Sequence, residues 1–292
     1  MNKKVVVAGH VCLDVTPSVP MQSSDLIQDV LAPGKLINVG PADIHTGGAV
    51  ANTGLAMKLL GADVTLAGKI GDDAFGDMIT SIMHGYGASD GLIRRKGEST
   101  SYSVVISIPG VDRIFLHNPG ANDTFCAEDL PMDAISEAAL FHFGYPPLMK
   151  RAYENDGEEL IRIFRLAKQA GTVTSLDLAA VDPSSEAGRA DWRKILKGTL
   201  QYVDLFLPSA EELLYMLDRD RYERLRAQGS GDVTENLDVD RDVLPLADEC
   251  MDMGVKVLVI KCGASGMYYR TATGETIGPM CEWLGLDATG WA

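Results

Sequence analysis

Two adjacent glycines, Gly47 and Gly48, are followed by a polar side chain, Asn52, four residues after the second glycine. A glycine lets the backbone approach a ligand where a Cβ atom would clash, and an asparagine in the first turn of a helix faces the same space. This arrangement predicts a pocket for a small polar molecule. A glycine-assisted turn from a strand into a helix, without a ligand, explains the same residues equally well.

A carboxylate, Asp14, follows the apolar segment 5–9, whose sequence Val-Val-Val-Ala-Gly predicts a buried first strand. Sheets of α/β proteins place ligand-contacting loops beyond the carboxyl ends of their strands. A carboxylate in such a loop accepts hydrogen bonds from two neighbouring hydroxyl groups. The alternative interpretation is an aspartate that caps a turn.

Two later segments suggest a site for phosphates. Ser209 and Glu212 have the spacing of a capping box, which is a sufficient structural explanation, but Glu212 also suits a hydrated magnesium ion. Lys261 follows an apolar strand pattern, and Gly263 and Gly266 after it allow the backbone to approach a nucleotide. A single Gly-x-x-Gly more often marks a turn.

Composition limits the possible partners. The 292 residues are 46% hydrophobic, which is enough for one large domain, and the formal net charge is -15. This charge disfavours nucleic acid as a partner, because phosphate contacts require a basic face. The five cysteines are odd in number and scattered, which indicates reduced thiols in the cytoplasm, and no apolar run reaches the roughly 18 residues of a membrane span.

Apolar runs and helical periodicity alternate from about residue 141 onward. Strands are predicted at 141–143, 173–178, 202–207 and 255–260, with amphipathic helices between them. This alternation predicts an α/β fold with a mostly parallel sheet covered by helices on both faces.

Three segments depart from the alternation. Residues at about 35–46 and 101–118 predict a small separate sheet that covers a site, with a turn at 109–112. The charged segment 218–242 is interpreted as a solvated insertion.

These pieces, in this order, resemble the ribokinase-like (pfkB) family of carbohydrate kinases over essentially the whole chain. The most specific element is the segment 68–76, Gly-Lys-Ile-Gly-Asp-Asp-Ala-Phe-Gly, and the segment 119–122, Pro-Gly-Ala-Asn, matches the one that leaves the family's lid. The resemblance implies a single three-layer domain over 1–292, with a small β-sheet lid inserted at about 35–46 and 101–118.

The reaction implied by the resemblance is transfer of the ATP γ-phosphoryl group to a sugar or nucleoside hydroxyl, with Mg²⁺ as cofactor. The resemblance assigns the acceptor to Asp14, Gly47, Gly48, Asn52 and Asn122. It assigns the nucleotide to Ser209, Lys261, Gly263 and Gly266, and the metal, through water, to Glu212. Ser209 replaces the asparagine of the family's Asn-x-x-Glu motif.

The family supplies its general base in a Gly-Ala-Gly-Asp segment at a helix N-terminus, and no such segment occurs in this sequence. The sequence Asp-Ala-Thr-Gly that begins at Asp287 either opens a diverged or cut form of that motif or, as we prefer, begins a surface helix or loop ahead of the true motif, and under both interpretations the catalytic aspartate is missing. We therefore expect that the chain is truncated at its C-terminus, that the catalytic aspartate lies beyond Ala292, and that this chain has little or no turnover.

Other functions compete with this hypothesis. A non-catalytic sugar-binding or regulatory homologue of the same fold would bind sugar without forming ADP. A nicotinamide-dependent oxidoreductase is disfavoured, because its Gly-x-Gly-x-x-Gly motif is missing after the first strand. Acceptor specificity is expected to depend on Asp14, the lid and the turn at 144–146. The expected partner is a small sugar or nucleoside, with neither nucleic acid nor membrane, and a homodimer through the lid is possible by resemblance.

Overall fold

A computed structural model of the protein describes residues 3–20, 33–108, 111–228 and 232–287. These residues contain thirteen strands: β1 (Lys4–Gly9), β2 (Cys12–Pro17), β3 (Ala42–Gly47), β4 (Asp63–Ala67), β5 (Lys69–Gly71), β6 (Ile93–Arg95), β7 (Tyr102–Ile108), β8 (Val111–Asn118), β9 (Leu140–Gly144), β10 (Val173–Asp177), β11 (Leu205–Phe206), β12 (Val257–Lys261) and β13 (Met267–Thr271).

The same residues contain eleven α-helices, interspersed with short 3₁₀ turns. They are α1 (Ala49–Leu59), α2 (Ala74–Gly85), α3 (Met132–Glu137), α4 (Lys150–Tyr153), α5 (Glu158–Gln169), α6 (Glu186–Arg189), α7 (Trp192–Thr199), α8 (Ala210–Leu217), α9 (Arg219–Gln228), α10 (Leu244–Asp252) and α11 (Gly274–Leu284).

The central sheet has seven strands in the order β13-β12-β11-β10-β9-β1-β4. Each neighbouring pair is parallel except β12 and β13, which are antiparallel. Helices connect most of the parallel strands, as parallel pairing requires. The predicted α/β class with a mostly parallel sheet is confirmed.

Both faces of this sheet are buried, because successive strand residues point to opposite sides. On β1, Val6 and Ala8 belong to the largest apolar cluster, which includes residues of α5, α7, α8 and α10. Val7 belongs instead to the cluster formed with α1 and α2. Helix α11 contributes to a third cluster with β10 and β12. The result is a three-layer arrangement.

Helix α5 illustrates how the sequence determines this packing. Leu160, Ile163, Phe164 and Ala167 recur at helical spacing and are all buried. The Phe164 ring lies 6.0 Å from that of Phe141 and 6.1 Å from that of Phe143, with edge-to-face geometry in both pairs.

A second, four-stranded sheet has the order β3-β2-β7-β8, and we call it the lid sheet. Strand β3 begins only at Ala42, and residues 35–41 have no regular structure. Strand β2 was not predicted from the sequence. The predicted turn at 109–112 includes residues 109–110, which lie outside the described residues.

The interpretation of 218–242 as a solvated insertion is wrong for part of the segment, because most of its described residues are exposed but several are buried. Helix α9 occupies its first half, and Tyr222, Leu225 and Val233 are buried in the largest apolar cluster. The Asp242 carboxylate is also buried and accepts a hydrogen bond from the Arg221 guanidinium. The high content of charged residues in the sequence obscured this short buried apolar stripe, which packs the segment against the rest of the domain. Residues 229–231 lie outside the described residues.

The five cysteines are free thiols. In the described part of the chain, no helix has both the length and the apolar character needed to cross a membrane.

Candidate functional site

The carboxyl ends of the parallel strands meet at one edge of the central sheet. Gly9 at the end of β1 is aligned with Gly144 at the end of β9, and Gly144 is aligned with Asp177 at the end of β10. Lys261 is the last residue of β12, and its backbone forms an isolated parallel β-bridge with Ser209, the residue before α8. Ligand sites of open α/β sheets lie at this edge.

The two glycines of the 47–48 pair are required by close packing. A Cβ atom on Gly47 would lie 2.1 Å from Oδ2 of Asp14. A Cβ atom on Gly48 would lie 2.4 Å from the carbonyl oxygen of His10, and Gly48 has a positive φ of 83°. The glycines therefore allow the start of α1 to approach Asp14 and His10 closely.

Asp14 lies within β2 of the lid sheet, and not in a loop after β1 as the sequence suggested. The backbone leaves the central sheet at Gly9, which has a φ of 121°, and enters the lid sheet at Cys12. The alternation of buried and polar residues in β2 is too short to be recognised as a strand, which explains the error. The carboxylate is half-buried, and the Cys12 thiol donates to its Oδ1 at 3.3 Å.

Four polar side chains form a row across one face of the lid sheet. Asp14 is directly opposite His45 of β3 and Ser103 of β7, and Ser103 is opposite His117 of β8. The Ser103 hydroxyl and Nδ1 of His117 are 3.0 Å apart. We call these four residues the polar row, since directly opposite residues share a face of the sheet.

The opposite face of the lid sheet carries an apolar row, whose members are each the neighbour in sequence of a residue of the polar row. Val15 is opposite Ile44 and Val104, and Val104 is opposite Leu116. Ile44 is 42% exposed and Leu116 is 56% exposed. The lid sheet thus has one polar and one apolar face.

The polar row meets the central sheet at His10 and Tyr145. The His10 ring centroid lies 5.4 Å from that of His117 and 6.3 Å from that of Tyr145. His10 is buried, and neither ring nitrogen has a hydrogen-bond partner among the described residues. Burial, and then the nearby His117, lower the pKa of His10 to about 3, so its imidazole is neutral at pH 7.

His117 and Tyr145 are also shifted by their surroundings. Desolvation by neighbouring atoms lowers the pKa of His117, although the carboxylates of Asp14 and Asp123 oppose the shift. Burial raises the pKa of Tyr145, and a hydrogen bond with the Asn52 side chain opposes it. Both side chains are therefore neutral hydrogen-bonding groups at pH 7.

Asn122 is fully buried and already hydrogen-bonded. Its Nδ2 donates to the carbonyl oxygens of Val11 at 2.9 Å and Pro119 at 3.2 Å, and its Oδ1 accepts from the Val11 amide at 3.2 Å. These bonds fix the backbone between His10 and β2. Asn122 therefore has a structural role here, and its contact with the acceptor stays a prediction.

Three charged groups lie together at the other end of the strand edge. The Lys261 ammonium lies 2.7 Å from Oδ1 of Asp177. Burial raises the pKa of Asp177, although Lys261 opposes the shift. Burial also raises the pKa of Glu212, with opposing contributions from the Ser209 amide and Lys261 and a smaller raising contribution from Asp177. We call Asp177, Glu212 and Lys261 the charged triplet.

The capping box at the start of α8 is present. The Ser209 amide donates to Oε2 of Glu212 at 2.6 Å, and the Glu212 amide donates to the Ser209 hydroxyl at 3.1 Å. The Glu212 carboxylate lies near Lys261 and Asp177, and a carboxylate in such a position suits a water molecule of a hydrated Mg²⁺ ion. Nowhere in the described ranges do three or more His, Cys, Asp or Glu side chains form a group able to hold a metal directly.

Gly263 and Gly266 form the tight connection between β12 and β13. Their φ angles are 58° and 96°, and the Cys262 amide donates to the Gly266 carbonyl at 2.8 Å. A Cβ atom on Gly263 would lie 2.5 Å from Oγ1 of Thr234, whereas one on Gly266 would meet nothing within 4 Å. The turn explains both glycines, and Gly266 also leaves open space beside the backbone.

The segment 68–76 forms a hydrogen-bond network within itself and with Thr100. The Asp73 carboxylate caps α2 by accepting from the Gly76 amide at 2.9 Å. It also accepts from the Thr100 amide at 2.7 Å and the Thr100 hydroxyl at 2.6 Å, and that hydroxyl accepts from the Gly71 amide at 2.9 Å. Because Thr100 lies two residues before β7, this network fixes the position at which the chain enters the lid sheet.

Sequence reasoning missed several residues at this edge. His10, Ser103, His117 and Asp177 are far apart in the chain, and only strand register brings them together. One signal was present: His10 directly follows the glycine that ends the first predicted strand.

Comparison with known proteins identifies the family. The profile of the pfkB family of carbohydrate kinases matches residues 2–281. The chain belongs to the pfkB family of carbohydrate kinases. The resemblance recognised in the sequence is therefore confirmed.

Among curated relatives, this pfkB protein is 30% identical to fructokinase-1 of Zea mays over 192 residues, which cover 63% of the chain and 54% of that relative. It is 29% identical to fructokinase-1 of Oryza sativa subsp. japonica over 229 residues, which cover 76% of the chain and 65% of that relative. The chain thus spans between about half and two thirds of the length of these fructokinases.

Among solved structures, the pfkB protein is similar to a fructokinase with bound ATP from Xylella fastidiosa. The TM-score is 0.67 at 21% identity, and the alignment covers 93% of this chain and 75% of that one. At this identity the likeness establishes the fold.

Proposed function

We propose that the protein binds a sugar or nucleoside through the polar row and ATP beside the charged triplet, and that the full reaction is transfer of the γ-phosphoryl group to an acceptor hydroxyl. One observation carries this proposal: the polar row of the lid sheet meets the central sheet at His10, at the same edge as the charged triplet, and Tyr145 lies between the two. Its amide donates to the Asp177 carbonyl at 3.2 Å, and its ring contacts that of His10. Phosphoryl transfer requires acceptor and nucleotide to be held side by side.

For the acceptor, Asp14 accepts hydrogen bonds from two hydroxyl groups, and the backbone of Gly47 and Gly48 closes one side of the pocket. Asn52 and Tyr145 supply further polar contacts. Asn122 holds the backbone at Val11 so that Asp14 keeps its place. The lid sheet excludes water over the acceptor, which limits hydrolysis of ATP.

For the nucleotide, Lys261 attracts phosphate oxygens, and Ser209, Gly263 and Gly266 provide the neighbouring surface. Glu212, with Asp177 near it, holds water molecules of a hydrated Mg²⁺ ion. When bound, that ion neutralises charge on the phosphates. The similar fructokinase from Xylella fastidiosa has bound ATP, which supports ATP as the nucleotide.

The general base of the proposed reaction is the least supported part of this proposal. The family's Gly-Ala-Gly-Asp segment is missing from the 292 residues. We therefore expect these residues by themselves to bind both ligands and to form ADP slowly or not at all.

The test is isothermal titration calorimetry of the chain with a panel of sugars and nucleosides and, separately, with Mg-ATP. Asp14→Ala is expected to weaken acceptor binding at least about tenfold, because a charge-assisted hydrogen bond contributes on the order of 1.5–3 kcal/mol, and to leave ATP binding within about twofold. Asp43→Ala, an exposed carboxylate of β3, is the matched control and should change neither affinity. Equal losses of acceptor and ATP affinity in Asp14→Ala would refute the assignment.

A second candidate function is sugar binding without catalysis, which the missing Gly-Ala-Gly-Asp segment favours. A coupled assay for ADP distinguishes the two functions. Acceptor-dependent formation of ADP excludes the non-catalytic function, whereas acceptor binding without ADP supports it for this chain.

We further propose that the protein acts in the cytoplasm and forms a homodimer through the lid sheet. The free cysteines support the compartment. The exposed apolar row supports the dimer, because a second copy would remove Ile44 and Leu116 from water. Sedimentation of wild type and Leu116→Asp tests the dimer, and an unchanged sedimentation coefficient would contradict it.

A further inference from the structure

Carboxylates lie within the polar row and beside it. Asp14 belongs to the row itself. Asp14 and Asp123 both lie near enough to His117 to oppose the lowering of its pKa. Asp177 and Lys261 both lie near enough to Tyr145 to affect the pKa of its phenol, Asp177 raising it and Lys261 lowering it. An acceptor bound between these residues is therefore close to two acidic side chains, Asp14 and Asp123, and to the ion pair of Asp177 and Lys261.

The nearby cations are already paired. The Lys261 ammonium lies 2.7 Å from Asp177. Lys150, whose backbone amide donates to Asp123 at 2.9 Å, has its ammonium 2.9 Å from Glu186. Neither lysine leaves an unbalanced positive charge beside the polar row.

The remaining groups around the row are hydrogen-bonding groups. His10 and His117 are neutral at pH 7 because their surroundings disfavour the protonated imidazole. The Ser103 hydroxyl is bonded to Nδ1 of His117, and Nε2 of that exposed ring has no partner among the described residues. These groups suit hydroxyls, whereas recognition of a phosphate or carboxylate requires Arg, Lys or a set of backbone amides.

We propose that the acceptor is an uncharged polyhydroxy compound, and that the acidic side chains around the polar row exclude acceptors that already carry a phosphate or carboxylate. This inference rests on the proposed function and adds the charge class of the substrate. Discrimination through repulsion is an effective source of specificity, because a like charge within the pocket weakens binding of the wrong ligand without affecting the neutral one.

The test compares D-fructose with D-fructose 6-phosphate by calorimetry at pH 8, above the usual pKa of imidazole. The wild-type chain is expected to bind D-fructose 6-phosphate at least about tenfold more weakly than D-fructose. An effect of at least this size follows from repulsion between the phosphate and the carboxylates at an effective dielectric constant near 20. A higher salt concentration should reduce this difference in affinity, because salt screens the charge of the carboxylates.

His117→Lys places a cation beside Asp14 and Asp123 and should reduce the difference at least about fivefold. Leu60→Lys, at the exposed end of α1, makes the same change in net charge and should leave the difference unaltered. Circular dichroism and the melting temperature establish that both variants fold.

Three results would overturn the inference. The wild-type chain could bind the phosphate ester as tightly as the sugar. The two lysine variants could reduce the difference equally, which would assign it to net charge and not to the pocket. Binding of neither compound, nor of any other neutral sugar or nucleoside, would refute the proposed function and with it this inference. In contrast, tight binding of the phosphate ester refutes the inference alone.

Discussion

Asp73→Asn tests the role assigned to the segment 68–76. The wild-type carboxylate caps α2 through the Gly76 amide and accepts from both the amide and the hydroxyl of Thr100. In the variant, an NH₂ group replaces the oxygen that faces the Thr100 amide. Thr100 is buried, so its amide then lacks a partner, and the expected loss of unfolding free energy is about 2 kcal/mol.

Asp73→Ala removes the helix cap as well. Loss of an N-cap costs about 1 kcal/mol, so the total expected loss is about 3 kcal/mol. Asp72→Asn is the matched control. The Asp72 carboxylate is exposed and lies 3.4 Å from Arg94, and such a pair contributes less than about 0.5 kcal/mol.

The pH dependence gives an independent check. Burial raises the pKa of Asp73, but the hydrogen bonds from Thr100 and Gly76 outweigh it and lower the pKa below its usual value. A carboxyl whose pKa is lower in the folded state stabilises the fold above its unfolded pKa of about 3.9 and loses that effect as the pH falls through the folded pKa. The difference between wild type and Asp73→Asn should therefore be full at pH 7 and shrink below about pH 4.

The assay is urea unfolding followed by circular dichroism at pH 7 and at about pH 3.5, with the slope against urea required to stay constant. The reasoning would be refuted if Asp73→Asn were as stable as Asp72→Asn at pH 7. A difference that persists unchanged in acid would instead show that the carboxylate charge is irrelevant.

Three further predictions use the same methods. Gly48→Ala should lose at least about 2 kcal/mol of unfolding free energy, because its Cβ atom meets the His10 carbonyl and its φ is positive, and wild-type stability would contradict the proposed close packing. Phe164→Ala should lose about 3–5 kcal/mol, whereas the half-exposed Phe115→Ala should lose less than about 1 kcal/mol, and similar losses would contradict the assignment of the core. Lys261→Met should weaken binding of Mg-ATP at least about tenfold and leave acceptor binding within about twofold in calorimetry, and the opposite pattern would remove Lys261 from the nucleotide site.

The sequence predicted the central sheet because its strands are apolar runs separated by amphipathic helices. Residues 141–143 lie within β9, residues 257–260 of the predicted strand 255–260 lie within β12, and α5 has the expected buried face. Local pattern was sufficient at these places, since each element is covered on one or both faces by apolar contacts.

Strand β2 of the lid sheet could not be predicted from the local sequence pattern. Strand β2 carries Asp14 between apolar neighbours, and its position depends on pairing with β3 and β7, which lie about 30 and 90 residues further along the chain. Asp177 was missed for the same reason. Its partner Lys261 is 84 residues away, and no local pattern connects the two.

Asp177 connects the two halves of the candidate site in two different ways. Its backbone carbonyl accepts from the Tyr145 amide, which helps to hold Tyr145 in a left-handed conformation with a φ of 67°. A bulky residue in that conformation costs on the order of 1–3 kcal/mol, so the surroundings must maintain it. The Asp177 carboxylate meanwhile binds Lys261. At the proposed nucleotide site, a phosphate that attracts Lys261 therefore changes the electrostatic environment of Asp177, which holds Tyr145 beside the proposed acceptor site. Acceptor and nucleotide can consequently affect each other through Asp177 without direct contact between them.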